Sequence, residues 1–213
     1  SVHERWFDEV QAWSVASDNS FLSLFSALKY EGHPFLWYAI LHFISNFFTI
    51  HSMTVLTLCI YATSVFFVVF KSPYPIVFKL LIPLNYYIFY QFGVVARSYC
   101  IFVLAAIFCA YSYRERFVSA KFYLSLAILS SISFHSLLMA LGLLSALICE
   151  LIFISISTVK TGKYLCKNWV FILAVLAIVG LNVYSIWPPK EQYFLQHTNP
   201  NIINFQRVYA ILT

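Results

Sequence analysis

The stretch FILAVLAIVGLNVYSIW, residues 171–187, contains no charged residue and does not alternate between polar and apolar side chains. As an α-helix it is about 25 Å long, which covers most of a hydrocarbon core of roughly 30 Å. A strand of a membrane barrel would alternate over about ten residues, and neither this stretch nor LAAIFCAYSY, residues 104–113, does so. The sequence therefore predicts helices that cross a membrane.

The composition extends this prediction to most of the chain. Of 213 residues, 62% are hydrophobic, 20% are aromatic and only 10% are charged, and the mean hydropathy is +0.81. We therefore expect membrane lipids as partners and no nucleic acid, despite a net charge of +5. The predicted fold is an all-α, polytopic transmembrane helical bundle with about six spans. The candidate spans are residues 52–70, 77–93, 97–113, 122–134, 136–157 and 168–187.

The distribution of charge predicts the orientation of these spans. The segments KSPYPIVFK (71–79), YRERFVSAK (113–121) and TVKTGKYLCK (158–167) hold eight of the thirteen basic residues. The positive-inside rule places them in the cytoplasm. Five of the eight acidic residues lie in the first 34 positions, which we expect on the opposite, extracytoplasmic side.

Residues 34–50 are apolar enough to resemble a further span. If they crossed the membrane, the acidic segment would be cytoplasmic or the basic loops would all lie outside. A helix lying on the membrane surface avoids this conflict, and it is supported by polar residues that recur at helical spacing. These residues, expected to face water, are Tyr38, His42, Ser45, Asn46 and Thr49.

The predicted organisation has three parts. Residues 1–51 form an extracytoplasmic loop with interfacial helices, residues 52–187 form the transmembrane bundle, and residues 188–213 begin another extracytoplasmic loop. The chain opens on Ser1 without a signal peptide and ends after RVYAILT, so we expect a fragment of a longer protein.

Asp8 and Glu9 are adjacent in the expected extracytoplasmic loop of a chain with few acids. A carboxylate held near apolar surface is a usable general base close to neutral pH. The alternative is a solvated acidic loop that only contributes to the charge asymmetry, and composition alone does not decide between the two.

Arg97 breaks the positive-inside pattern because it lies at the predicted outer end of a span, between long uncharged stretches. Such a residue usually has an anionic partner. The partner could be Asp8 or Glu31, or it could be the phosphate of a lipid-linked substrate, which a guanidinium binds in a bidentate manner. Glu150 is also unusual, since it lies inside a predicted span. We expect it to be protonated or paired with a lysine that reaches along the helix.

The acidic pair, the segment EGHPFLWY (31–38) and the segment ARSY (96–99) occur in this order across the predicted topology. Together they resemble the polytopic sugar transferases of the C-type glycosyltransferase fold. The chain is most similar to the dolichyl-phosphate-mannose-protein mannosyltransferase-like family, family 39, and its bacterial ArnT-like relatives. The likeness covers residues 1–160.

This resemblance implies a transferase that moves a sugar from a polyprenyl-phosphate carrier to a lipid, glycan or protein acceptor. Asp8 would be the general base that deprotonates the acceptor hydroxyl, and Glu9 would orient Asp8 or bind the acceptor. Arg97 would neutralise the departing phosphate. The implied substrate-binding residues are Glu31, His33, Arg97 and Tyr99.

The resemblance also implies a first transmembrane helix before the acidic pair and a C-terminal part that completes the site, neither of which this sequence contains. Some members of the fold use a divalent metal, so a metal cofactor stays open, and no residue is assigned as its ligand. We expect the bacterial inner membrane, with the active site on its extracytoplasmic side. The alternatives are a polytopic transporter and a component of polysaccharide polymerisation or export.

One geometric prediction separates these interpretations. If the protein is the expected transferase, Asp8, Glu31 and Arg97 approach one outward-facing cavity, although they are far apart in the sequence.

Overall fold

A computed structural model describes residues 5–117, 119–157 and 162–187, and within these ranges the chain forms helices and turns without any strand. Two short 3₁₀ turns, Leu28–Tyr30 and Tyr113–Glu115, and two π-helical turns, Phe67–Lys71 and Tyr87–Gln91, extend or connect the α-helices. In this part of the chain the α-helices are α1 (Phe7–Asp18), α2 (Phe21–Ala27), α3 (Phe35–Ser45), α4 (His51–Phe66), α5 (Ile76–Leu84), α6 (Tyr99–Ser112), α7 (Ala120–Ser130), α8 (Phe134–Ser157) and α9 (Gly162–Ile186).

The all-helical class is confirmed, and three helices are long and apolar enough to cross a membrane. These are His51–Lys71, which joins α4 to its π turn, Phe134–Phe153 in α8 and Asn168–Ile186 in α9. The count of about six spans is not confirmed, because the helices at the other three predicted spans are shorter. α6 has 14 residues and α7 has 11.

The predicted span at 77–93 is interrupted near its middle. α5 ends at Leu84, one residue after Pro83, and Asn85 has an extended backbone conformation. Proline lacks an amide hydrogen and does not continue a helix. The side-chain oxygen of Asn85 accepts a hydrogen bond from the Tyr87 amide at 3.0 Å and so begins the next turn. The hydropathy of this segment gave no sign of the break.

α7 is a short helix with one face packed into the bundle and the other exposed. It packs against α6, α8 and α9, and seven of its residues are buried. Polar side chains connect it to its neighbours: the Cys109 thiol donates to the Ser125 hydroxyl at 3.1 Å, and the Asn182 amide donates to the Ser131 hydroxyl at 2.9 Å. These contacts fix the position of α7 against three neighbouring helices.

The first three helices, residues 7–45, form one unit that we call the N-terminal module. The amide of Leu36 donates to the carbonyl of Ser131 at 3.2 Å, and the Lys29 ammonium lies 4.8 Å from the centre of the Tyr184 ring. The module therefore covers the end of the bundle where α7 and α9 finish and α8 begins. We call this the module end.

The opposite end of the bundle contains the turn after α6. There the Asn168 amide donates to the carbonyl of Phe117 at 3.1 Å, which brings the beginning of α9 beside this turn. The helices α6 to α9 thus run alternately between the two ends. The basic residues Arg114 and Arg116 lie at this opposite end.

α3 occupies the segment predicted to lie on the membrane surface. Its 11 residues span about 16 Å, the same length as α7, so helix length alone does not distinguish a surface helix from a crossing one. Exposed aromatic side chains lie on this helix at Phe43 and in the turn after it at Phe47 and Phe48. Where this helix sits relative to a bilayer stays a prediction.

The expectation that the polar stripe of this helix faces water is wrong at two positions. Tyr38 is only 3% exposed, and a ring nitrogen of His42 is 2.8 Å from the carbonyl oxygen of Ala16 in α1. These polar groups face α1 because that helix lies beside α3. The predicted loop at 188–213 lies outside the described residues, as do the first four residues, 158–161, of the predicted basic loop at 158–167.

Candidate functional site

Asp8 and Glu9 lie in the first turn of α1, and the Glu9 carboxylate caps this helix. Its Oε2 accepts a hydrogen bond from the Trp6 amide at 2.7 Å. The first amides of a helix lack partners within the helix, and negative charge is favoured at that end. The acidic pair therefore has a local structural role besides the predicted chemical one.

Glu9 also connects α1 to a distant part of the chain. Its Oε1 accepts a hydrogen bond from the backbone amide of Ala96 at 2.7 Å, and the residue is only 1% exposed. Both oxygens are thus bonded to backbone donors, which fixes the start of α1 against the residues that precede α6. The predicted role of Glu9 in orienting Asp8 fits this contact, while its role in acceptor binding stays a prediction.

The contact between Glu9 and Ala96 brings Arg97 beside Asp8. The Arg97 guanidinium forms an ion pair with the Asp8 carboxylate. It also lies 5.7 Å from the centre of the Trp6 ring and 6.0 Å from that of Tyr99. Of the two acids considered as partners from the sequence, Asp8 is the one that pairs with Arg97, and the phosphate stays a prediction.

Glu31 is held by two uncharged side chains. The Gln11 amide nitrogen lies 2.8 Å and 3.0 Å from its two carboxylate oxygens, and the Tyr38 hydroxyl donates at 3.3 Å. Burial, together with the adjacent carboxylate of Glu31, raises the pKa of Tyr38 well above its usual value. Tyr38 therefore stays protonated and donates to Glu31 at any physiological pH.

His33 follows a glycine with a left-handed backbone. Gly32 has a φ of 68°, which a residue with a side chain adopts rarely, and this turn leads from Glu31 into α3. Burial lowers the pKa of His33, Glu31 opposes this effect and His135 adds to it. The imidazole is therefore neutral near pH 7. Its Nδ1 has no hydrogen-bond partner among the described residues.

These side chains surround a pocket of about 210 Å³, which has room for several water molecules or a small polar group. The predicted proximity of Asp8, Glu31 and Arg97 is confirmed, since all three line it. It is an unusual combination for a chain with so few charges: two carboxylates and a guanidinium in one cavity. The lining residues are Asp8, Gln11, Ala12, Glu31, His33, Trp37, Tyr38, Arg97, Ser98 and Tyr99.

Five of the six predicted site residues line this pocket. The sixth, Glu9, is not among the lining residues and binds the backbone amide of Ala96. Sequence reasoning missed Gln11 and Trp37, and it assigned Tyr38 only to the polar stripe of α3. Gln11 could have been found, because it follows Asp8 by three residues and therefore lies on the same face of α1. Trp37 lies in the first turn of α3, and no pattern in the sequence indicated that it would line the site.

Glu150 is paired, but its partner is not a lysine. The Arg116 guanidinium binds both oxygens of this carboxylate, with the Nε–Oε2 distance at 2.9 Å. Arg116 lies in the turn after α6. Glu150 therefore pairs with a residue from outside its own helix and not with the expected lysine. This ion pair lies away from the pocket, as the sequence placed it.

A divalent metal has no ligand set in the described part of the chain. Among those residues, no group of three or more His, Cys, Asp or Glu side chains is placed to hold a metal ion. The pocket chemistry available from this chain consists of two carboxylates, one guanidinium, a neutral imidazole and uncharged hydrogen-bonding groups.

The chain matches no protein-family model, no curated protein and no solved structure.

Proposed function

We propose that this protein is a membrane glycosyltransferase of the C-type fold, which moves a sugar from a polyprenyl-phosphate carrier to an acceptor hydroxyl. The observation that carries the proposal is the pocket in which the Asp8 carboxylate meets the Arg97 guanidinium. A reaction in which a hydroxyl displaces a phosphate needs one group to take a proton and another to stabilise the negative charge of the leaving group. In this pocket Asp8 is the group that would take the proton, and Arg97 is the group that would stabilise the leaving phosphate.

In the proposed reaction the acceptor oxygen attacks the anomeric carbon while Asp8 takes the hydroxyl proton. The bond between that carbon and the phosphate oxygen breaks, and its electron pair leaves with the polyprenyl phosphate. Arg97 binds the phosphate and stabilises its developing charge. The displacement inverts the configuration of the sugar, because the acceptor and the leaving group occupy opposite sides of the carbon.

Glu31 is assigned to substrate hydroxyl groups. Its carboxylate is held in place by Gln11 and Tyr38, so it can accept a hydrogen bond from a sugar or acceptor without losing its orientation. Trp37 provides an aromatic wall in the same pocket, and aromatic rings pack well against the apolar face of a sugar. His33 and Tyr99 complete the proposed substrate-binding set.

We further propose that six segments of the bundle cross the membrane and that the module end is extracytoplasmic. The alternating direction of α6 to α9 supports this topology, and α7 packs against α6, α8 and α9. Arg114 and Arg116 at the opposite end fit a cytoplasmic location. We place the protein in the bacterial inner membrane, in keeping with its resemblance to ArnT-like enzymes.

A transporter is less well supported by the position of the charges. Transporters bind their substrates near the middle of the membrane, between discontinuous helices. The acids of this pocket come instead from the N-terminal module, which covers one end of the bundle.

Replacing Asp8 with asparagine tests the proposed base. We expect Asp8→Asn to reduce sugar transfer about 10²- to 10⁴-fold, the usual contribution of general base catalysis. The measurement is transfer of labelled sugar from polyprenyl-phosphate donors in membranes that contain equal amounts of each variant. Asp18→Asn is the matched control, because Asp18 is an exposed acid at the other end of α1 and does not line the pocket.

Asp18→Asn should leave transfer unchanged. If Asp8→Asn also transfers sugar at the original rate, Asp8 is not the base. Absence of transfer by the unmodified protein from every polyprenyl-phosphate sugar would contradict the proposed function itself.

A further inference from the structure

The ion pair between Asp8 and Arg97 raises a chemical question about the proposed site. A carboxylate bound to a guanidinium holds a proton weakly, because the positive charge favours its ionised form. The carboxylate also occupies Nη2 of Arg97 and offsets its positive charge, so the guanidinium binds a phosphate less strongly while it is paired. The ion pair therefore weakens both proposed steps.

We propose that this ion pair is the resting state of the site and that a phosphate-bearing ligand opens it by replacing Asp8 on Arg97. The inference rests on the proposed function and adds to it a coupling between two events. Asp8 becomes free to accept a proton only when Arg97 has bound the phosphate. The base is then active only in the presence of the donor.

The surroundings of the two residues favour movement of Asp8 over movement of Arg97. The Asp8 side chain is 53% exposed and that of Arg97 is 26% exposed. The Arg97 guanidinium lies 5.7 Å and 6.0 Å from the ring centres of Trp6 and Tyr99, and its backbone follows Ala96, which is bound to Glu9. A rotation of the Asp8 side chain would thus break the pair without moving a helix, and such rotations are fast.

Phosphate is a suitable replacement for Asp8 on chemical grounds. A guanidinium binds two oxygens of a phosphate in parallel, as it does with a carboxylate, and a phosphate can carry more negative charge. The pocket volume of about 210 Å³ accommodates a group of this size. The exchange therefore replaces one charge-assisted contact of Arg97 with a similar one.

Glu31 provides an internal comparison, since it is a second acid in the same pocket. It is bonded to Gln11 and Tyr38, and it does not have to leave Arg97 for phosphate to bind. Removing its charge reduces electrostatic repulsion of an anion without removing the residue that Arg97 is paired with. Removing the charge of Asp8 reduces this repulsion and also removes the partner of Arg97.

The test is phosphate binding by the purified protein in lipid nanodiscs, followed by tryptophan fluorescence. Inorganic phosphate and a polyprenyl phosphate are titrated separately into the unmodified protein, Asp8→Asn and Glu31→Gln. If the pair is closed about nine-tenths of the time, its removal raises the apparent affinity about tenfold. We expect this gain for Asp8→Asn and a gain of less than about twofold for Glu31→Gln.

The two ligands distinguish the source of the phosphate. A gain with inorganic phosphate shows that the headgroup alone drives the exchange. A gain confined to polyprenyl phosphate assigns the exchange to a lipid-borne phosphate, and both results support the proposal. Asp8→Ser is tested in parallel in case the asparagine variant does not fold, because serine is small and polar and the Asp8 side chain is 53% exposed.

Equal gains for the Asp8 and Glu31 variants would show simple charge repulsion and would overturn the exchange. The proposed function would survive that result, since phosphate would still bind. If neither phosphate ligand binds the unmodified protein or its Asp8 variants, the exchange and the proposed function both fail. Arg97→Gln should bind either ligand at least tenfold more weakly, because it loses the charge-assisted contact.

Discussion

At the scale of single residues, Asp8 and Glu9 show how two adjacent acids acquire different roles. Successive residues of a helix point about 100° apart, so only one of them can face a given cavity. Asp8 lines the pocket and is half exposed, whereas Glu9 is buried and bonded to the backbone amides of Trp6 and Ala96. The two carboxylates are therefore not interchangeable.

Replacing Glu9 with glutamine tests its structural role. A glutamine has one acceptor oxygen, and its NH₂ group would face a backbone amide, so one buried donor would lose its partner. We expect Glu9→Gln to lower the free energy of unfolding by about 1 to 3 kcal/mol, the cost of an unsatisfied buried group. Thermal unfolding in detergent, compared with the exposed control Asp18→Asn, measures the difference. Equal melting temperatures for the two variants would contradict this role.

At the scale of the helices, polar side chains connect neighbouring helices of the bundle. Around α7 these contacts include hydrogen bonds from Cys109 and Asn182. On the turn after α6, Arg116 binds Glu150 of α8 and lies 4.2 Å from the centre of the Tyr113 ring. Such contacts fix helix position in an apolar environment, where the hydrophobic effect between helices is weak.

The Arg116 ion pair predicts a stability difference between two neighbouring arginines. Arg116→Gln leaves Glu150 without its cation, and we expect a loss of about 1 to 3 kcal/mol, between the values for exposed and buried pairs. Arg114→Gln is the matched control, because Arg114 is exposed on the same turn. Stability is measured by thermal unfolding in detergent.

A double variant checks this assignment. Glu150→Gln combined with Arg116→Gln removes both charges, so it should be more stable than Arg116→Gln alone. If the losses of the two single substitutions simply add, the two residues do not interact energetically and the contact does not contribute as described.

At the scale of the whole molecule, the charged pocket and the basic turn lie at opposite ends of the helical bundle. Asp8 and Arg97 belong to the module end, and Arg114 belongs to the turn after α6. If the bundle crosses a membrane as proposed, these ends face different compartments. The proposed donor and acceptor must then both reach the module end.

Accessibility labelling tests this orientation. We expect Ser17→Cys, on the exposed side of α1, to react with a membrane-impermeant maleimide added to intact cells. We expect Arg114→Cys to react only after the membrane is permeabilised. Both are introduced into a variant whose natural cysteines are replaced. Labelling of the two positions from the same side, or in the reverse order, would contradict the topology and remove the proposed location of the site.

The sequence alone determined the helical class and the short list of residues with chemical potential, and three of its six predicted spans correspond to long apolar helices. These features depend on local composition and on periodicity along the chain, which a single sequence contains. It also identified the three charged residues of the pocket, because charges are conspicuous in an apolar chain.

Only the tertiary structure decided how those residues pair. The placement of Asp8 against Arg97, the use of Glu9 as a connection to Ala96 and the pairing of Glu150 with Arg116 all join distant parts of the chain. The packing of α7 against three other helices likewise joins distant parts of the chain. Contacts of this kind depend on how whole helices pack, and local sequence patterns do not contain that information.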